Sequence, residues 1–292
     1  MTPLKLYFRS LHKRDVPAVL DISKDIWEGD DYVPFVIHEW LGDQTSLNYG
    51  VFKDPTMNDL IGFGRVKVLN ENLAWLEGGR VKSSYQKQGI GKEIMQYALN
   101  YAKEIGVKLV QYDTSSRNEG SVALAMNFGF QKKKSMELLG CKYNEIKKDG
   151  LISTEMKKVE KKEAKSIYRK LDTGSGNEIC IGWAYVPIDN LTNQNSVWYH
   201  NDKAIIQKIK PNVRAFHEAP YNNEIWLIVY GKSKAGFRLV QNVILEEKFT
   251  NNLEYYIFCT PGLVPKIKDI GFSYWDNQRL QVVLYEKYIV KK

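Results

Sequence analysis

Between Gln86 and Lys92 the chain reads Gln-Lys-Gln-Gly-Ile-Gly-Lys, and the apolar spacing of Ile94, Met95, Ala98, Leu99 and Ala102 behind it predicts an amphipathic helix. A glycine-bearing turn that opens a helix leaves several backbone N–H groups unpaired and aimed one way. With the helix dipole they make a site for a phosphate or pyrophosphate. Gly89 and Gly91 bring no Cβ that would hold an anion off the backbone. Lys87 and Lys92 flank the turn, either as phosphate partners or as solvated helix-start residues. Upstream, Glu77 is a carboxylate in an apolar, strand-like run and is followed by Gly78 and Gly79, which clear space beside it. It is a candidate general base, acting through a water; the alternative is a salt bridge to Arg65 or Arg80. Strand alternation would put Glu77, Gly79 and Val81 on one face. The spacing fits neither G-x-x-x-x-G-K-[ST] nor G-x-G-x-x-G.

These residues need elements to hold them. A strand-like run (Leu73, Trp75, Val81) precedes the turn, a helix follows it, and Lys108 to Tyr112 reads as the next strand. Asn118 and a helix ending in Asn127-Phe128-Gly129-Phe130 come next. This order, with its loop, resembles the GCN5-related N-acetyltransferases (GNAT), in which a Q/R-x-x-G-x-G/A loop grips the pyrophosphate of acetyl-CoA. The resemblance implies acetyl-CoA as co-substrate, no metal, and a cofactor-binding set of Val81, Gln86, Lys87, Gln88, Gly89, Ile90, Gly91, Lys92 and Asn118. Val81 would offer backbone groups to the pantetheine arm and one N–H to the developing oxyanion. Asn118 bonds that arm, as its family counterpart does, or caps the helix after it. Many members carry a tyrosine where this chain has Ala125, so the thiolate is protonated by solvent or by another group; Tyr85, Ser121 and Tyr112 are the candidates by position.

Further segments resemble the histidine N-acetyltransferase-like branch, a two-domain group. They are Asp31-Tyr32-Val33-Pro34 with His38-Glu39-Trp40-Leu41, Glu77-Gly78-Gly79-Arg80-Val81, and Trp183-Ala184-Tyr185-Val186-Pro187 with Asn190-Leu191. That likeness implies a small amine acceptor, a free amino acid foremost, with a protein or peptide acceptor and a non-catalytic acyl-CoA-binding protein as rivals. Tyr32, His38, Trp40, Trp183 and Tyr185 are the acceptor-pocket candidates; dense aromatics also simply pack cores.

At 292 residues two domains are expected. The expected fold is α+β, a three-layer α/β/α arrangement on a mixed sheet, in tandem: a catalytic domain over 1–152 and a degenerate copy over 153–292 without the pyrophosphate loop. Strand, helix, Gly271-Phe272 and strand in the second half echo the end of the first, whereas Gly231 to Gly236 is a different, looser turn. Leu4 to Phe8 reads as the first strand, a helix begins near Val16, and Glu155 to Lys170 reads as a solvated helix face. The composition, 43% hydrophobic and 26% charged, is that of a soluble protein, and no apolar run could span a membrane. The N-terminus has charges within every apolar stretch, unlike a signal peptide. Cys141, Cys180 and Cys259 without paired spacing suit the reducing cytoplasm. His12, His38, His200 and His217 show no ligand spacing. A net charge of +8 attracts a polyanion, for which CoA serves better than nucleic acid because no nucleic-acid module is present. A homodimer is left open.

Overall fold

The computed structural model describes residues 5–29, 31–171, 176–191, 196–210, 223–247 and 253–289. Among them are fourteen strands and seven α-helices, an α+β fold with both parallel and antiparallel pairing. The chain packs as two compact units that follow no single cut: residues 1–112, 120–132 and 285–292 make the first, and 113–119 with 133–284 the second.

In the first unit, α1 (Val16–Ser23) and α2 (Val33–Gly42) each take a proline in the first turn, where its missing N–H costs nothing. A 3-10 turn at Ile26–Gly29 links them. Strands β1 (Tyr7–Ser10), β2 (Leu47–Phe52), β3 (Leu60–Asn70) and β4 (Leu73–Val81) pair antiparallel in that order. Leu4 lies outside the described residues; the first strand begins at Tyr7, with Lys5 and Leu6 outside it. The turn between β2 and β3 is held by Asp54, which accepts from the amides of Asn58 and Asp59. α3 (Ile90–Glu104) then carries the chain to β5 (Leu109–Ser115), parallel to β4. Along β3, Gly62 and Gly64 sit against Ile90 and Ile94 of α3, while Phe63 packs with Val16, Val19, Ile22, Val33, Ile37 and Trp40. Alternation along one strand thus puts a helix layer on each face. After β5, α4 (Glu119–Asn127) buries Ala125. The chain's last strand contributes to this unit too: Tyr285 stacks on Tyr112 with ring centroids 5.6 Å apart, and the Ile289 N–H donates to Lys108 O.

The second unit takes β6 (Gln131–Lys142), the strand after Gly129-Phe130. The unit continues through β7 (Lys157–Val159), α5 (Lys161–Lys170), the hairpin of β8 (Glu178–Cys180) and β9 (Tyr185–Pro187), β10 (Ser196–Asn201), β11 (Ala204–Ile209), β12 (Glu224–Gly231), α6 (Ser233–Glu246), β13 (Glu254–Cys259) and α7 (Val264–Asp269), and reaches into β14 (Gln281–Tyr288). Its strands run in the order β6-β13-β12-β11-β10-β7, with β12 and β13 parallel across α6. Leu239, Val240, Val243 and Ile244 of α6 bury one face with Leu227, Val229 and Ile257. One reading changes here. The lysine-rich stretch is a helix only from Lys161, with Ala164 and Tyr168 buried, because residues 157–159 pair with β10. The run Ile179 to Val186 is two short strands, broken at Gly182 (φ +108°), where a Cβ would lie 2.5 Å from the Trp226 ring. β10 pairs antiparallel with both β11 and β7 and buries Trp198.

At the start of β12, burial pushes the Glu224 carboxyl up to about 7, with the neighbouring Glu254 adding to the effect and the Trp226 Nε1 hydrogen bond (2.8 Å) opposing it. A carboxyl raised on folding gives stability that is complete below its unfolded pKa and lost as pH rises through the folded value. Glu224→Gln should therefore raise the thermal midpoint at pH 8 by an amount equivalent to about 1 kcal/mol, discounted for partial exposure, and change little at pH 4. Melting curves at the two pH values check this.

Candidate active site

β4 pairs with β5 only from Leu73↔Leu109 to Trp75↔Gln111, yet it runs on to Val81. From Leu76 onward that edge of β4 has no ladder partner among the described residues. On its other edge the Lys82 N–H donates to Ile61 O at 2.9 Å. Successive residues of an antiparallel ladder turn their amides alternately to either side, so Val81 directs its N–H and C=O to the open edge. The Gln86 side-chain amide takes the Val81 carbonyl at 3.3 Å and ties the loop to the strand end, leaving the Val81 N–H outward.

The loop itself is a backbone cradle. Lys87 (φ +60°) and Gly89 (φ +86°) are left-handed, and a Cβ at Gly89 would meet no heavy atom within 4 Å, so the space over the turn is open. The Lys92 and Glu93 amides turn back onto Gly89 O, whereas those of residues 87 to 91 make no backbone hydrogen bond among the described residues. Gln88 is fixed by its own side chain on Ser84 O, and Ile90 is buried as the first anchor of α3. Lys87 and Lys92 are exposed at the rim. Open space, amides without backbone partners among the described residues and helix-dipole polarity fit a pyrophosphate.

Glu77 does not share a face with Val81. Between the pairs Phe63↔Arg80 and Arg65↔Glu77, β3 spends one residue and β4 two, a bulge with Gly78 at φ +65°. The expected face relation is thereby corrected: Glu77 and Arg80 lie with Phe63 and Arg65 on the α1–α2 face, and Val81 lies with Gly62 on the α3 face. Glu77 pairs with Arg65 at 2.9 Å, and Arg80 with Asp31 instead, Nε to Oδ2 at 3.1 Å and Nη2 to Oδ1 at 2.8 Å. Arg65 is 4% exposed and also bridges to Asp43. Burial raises the Glu77 pKa, with Arg65 and Lys67 pulling it down and Asp43 and Glu39 pushing it up. Asp43 itself is held well below the carboxylate range by hydrogen bonds from Ser46 and Thr45 and by the Arg65 charge, which outweigh its burial.

Tyr32 and Trp40 meet edge to face at 6.0 Å on the same side as Glu77; the Trp40 ring lies where a Cβ of Gly78 would be, and the Arg65 guanidinium lies 5.0 Å from it. His38 is exposed on α2, away from this cluster's buried side. Tyr85, half-buried, accepts a hydrogen bond from Lys53 Nζ at 3.0 Å. The Tyr112 hydroxyl donates to Ser121 O (2.8 Å), and burial raises its pKa. Asn118, in the second unit, turns its N–H to Ser115 O. Also in that unit, Trp183 packs edge to face on Phe258, and buried Tyr185 donates its N–H to the Asp113 carboxylate at 2.6 Å. The sequence did not single out Trp27 or Asp43. Trp27 is a left-handed (φ +47°), 53% exposed ring stacked on Arg80 at 4.6 Å. A strand arginine with apolar neighbours, Arg65, was the one signal that a buried acid must lie near it. Among the described residues no group of three His, Cys, Asp or Glu could hold a metal, and no helix is long and apolar enough to cross a membrane; His217 lies outside them.

The model of the acetyltransferase (GNAT) family matches residues 16–130. Over that stretch the chain is similar to the GNAT acetyltransferases. The chain is an N-acetyltransferase, and acetyl-CoA use follows from the family. No curated protein matches its sequence. Among solved structures, the GCN5-related N-acetyltransferase from Sphaerobacter thermophilus is 11% identical with TM-score 0.60, over 97% of this chain and 95% of that one. The one from Kribbella flavida is 10% identical with TM-score 0.55, over 97% and 71%. The glucosamine N-acetyltransferase region of a fungal multi-domain β-N-acetylglucosaminidase is 13% identical with TM-score 0.64; the match spans 98% of this chain and 38% of that protein. At these identities the likeness is one of fold.

Proposed function

We propose that this GNAT enzyme acetylates the amino group of a small amine, with the first unit as its catalytic part. The observation that carries this is the unpaired β4 edge with the outward Val81 amide beside the open, glycine-bearing start of α3. Acetyl-CoA supplies a thioester carbonyl for attack by the amine. Residues 86 to 92 would hold its pyrophosphate, with Lys87 and Lys92 adding charge at the rim. The Val81 N–H is the donor for negative charge developing on the carbonyl oxygen. As the C–N bond forms and the C–S bond breaks, Glu77 accepts the amine proton through a water, and its raised pKa makes it a better acceptor than an ordinary carboxylate. Tyr85 is the remaining phenol near the loop: Lys53 occupies its oxygen, leaving its proton to be given to the thiolate.

The packed Trp40, Tyr32, Arg80 and Trp27 side chains over β4 favour a small acceptor over a protein chain. The histidine N-acetyltransferase-like motifs would make it a free amino acid. The second unit is read as a degenerate copy, because β12-α6-β13-α7-Gly271-Phe272-β14 parallels β4-α3-β5-α4-Gly129-Phe130-β6. Its parallel strands pair throughout, Glu224↔Glu254 to Val229↔Cys259, and a Cβ at Gly231 would lie 2.3 Å from Lys203 O, so among the described residues this copy shows no counterpart of the open β4 edge or the open loop. The free cysteines fit a cytoplasmic enzyme.

Release of CoA thiol from acetyl-CoA across a panel of amino acids, amines and short peptides tests the reading. Glu77→Gln should lower kcat by about 100-fold and remove the acid limb of the pH profile, which lies above the ordinary glutamate range. Full turnover by this variant from pH 6 to 9 would sink the role of Glu77.

A further inference from the structure

We infer that Asp43 is a positioning residue for the proton transfer: it claims the Arg65 guanidinium and so keeps Glu77 from a full ion pair. This rests on the reading of Glu77 as the base. An arginine facing a lone carboxylate closes on it with two parallel N–H···O bonds, and a carboxylate held that way is a poor proton acceptor. Arg65 does not close on Glu77. Its Nη1 lies 2.9 Å from Glu77 Oε1, yet that oxygen is buried and makes no hydrogen bond among the described residues. The pair thus has charge contact without donor alignment. The aligned bond runs instead from Nη2 to Asp43 Oδ2, with the guanidinium 5.0 Å from the centroid of the Trp40 ring.

Asp43 is itself held for this task. It follows α2 directly; its Oδ1 accepts from the Thr45 N–H at 2.9 Å and the Thr45 hydroxyl at 2.7 Å, and its Oδ2 accepts from the Ser46 hydroxyl at 2.6 Å. These local bonds fix the carboxylate that Arg65 meets. Burial does most to raise the Glu77 pKa. Arg65 and Lys67 of β3 then favour the charged form, while Asp43 and Glu39, after and within α2, oppose it. Arg80, on the same face, is closed on Asp31, and the Tyr32 ring lies against Arg80. Asp43 therefore acts on Glu77 twice, by its own charge and by the direction it gives to Arg65. Both effects leave Glu77 readier to take a proton.

Asp43→Asn is the test, because asparagine keeps an oxygen for Thr45 and puts an amide where Oδ2 holds Arg65. Carboxyl NMR of the full chain, labelled with carbon-13 at glutamate Cδ and assigned through Glu77→Gln, follows the proton on Glu77 directly. In Asp43→Asn its midpoint should fall by about one pH unit or more, since a like charge is gone and Arg65 is free to turn to Glu77. Glu39→Gln removes a like charge on the exposed side of α2 without touching Arg65, and should shift the midpoint less. CoA release from acetyl-CoA with histidine and with histamine as probes should show the acid limb moving down with the midpoint. A midpoint unchanged in Asp43→Asn, or moved no further than in Glu39→Gln, would overturn the inference and leave Glu77 standing as the base. A midpoint that falls while the acid limb stays in place would overturn the reading of Glu77 as the base, and the inference with it.

Discussion

Gly89→Glu is expected to abolish acetyl-CoA turnover, by at least about a thousandfold, while leaving the protein folded. The space above Gly89 is open, so the added side chain meets no protein atom at its Cβ. It would instead occupy the place an anion must take and set a carboxylate beside the amides of residues 87 to 91, which make no backbone hydrogen bond among the described residues. Acidic groups favour helix starts, so α3 itself should not be weakened by the charge. The remaining cost is the left-handed backbone at φ +86°, on the order of 1–2 kcal/mol for a side-chain-bearing residue. Gly89→Asn separates the two effects, because asparagine tolerates that conformation and carries no charge. Titration of acetyl-CoA against both variants, with melting curves alongside, is the check: Asn should retain most of the binding and Glu should lose it. Equal binding by Gly89→Glu and the parent would mean that the pyrophosphate lies elsewhere.

The features that were legible in the sequence are those whose causes are local. Ile94, Met95, Ala98, Leu99 and Ala102 set the face of α3, and Gly89 and Gly91 mark its opening, because helix period and backbone freedom are short-range properties. The helix expected to begin near Val16 is α1, which takes Pro17 in its first turn. Glu77 was readable as a strand carboxylate, but not its direction. The Gly78-Gly79 pair that appeared to clear space for it also inserts the extra residue that turns Val81 to the other face. The choice between Arg65 and Arg80 as its partner was decided by that bulge and by Asp31, 49 positions from Arg80 in the chain. Local pattern could not show either cause.

The strand composition of the two units was also beyond local pattern, and it makes the second large prediction. Residues 1–152 expressed alone should fail to give a folded, CoA-binding domain. The first unit includes Tyr285 to Tyr288, which such a fragment lacks. Tyr112 would lose its stack on Tyr285, Gln111 its bond to Glu286 (3.3 Å), and Lys108 O its bond from Ile289, leaving β5 an apolar, unpaired edge. The fragment would also carry β6 without β13, its antiparallel partner from Glu137↔Cys259 to Lys142↔Glu254. Leu138 and Leu139, 1% and 0% exposed, would then face water. Each such side chain forfeits roughly 1.5–3 kcal/mol, and a few of them exhaust the about 5–15 kcal/mol that a domain has. Each half thus supplies the other unit with the strand that follows its Gly-Phe pair, and folding of one is tied to the presence of the other. Size-exclusion profiles and melting curves of 1–152 alone and co-expressed with 153–292 make the comparison. Aggregation alone and recovery of a soluble, CoA-binding complex on co-expression are expected; a monomeric 1–152 that binds acetyl-CoA as the whole chain does would show the last strand to be dispensable.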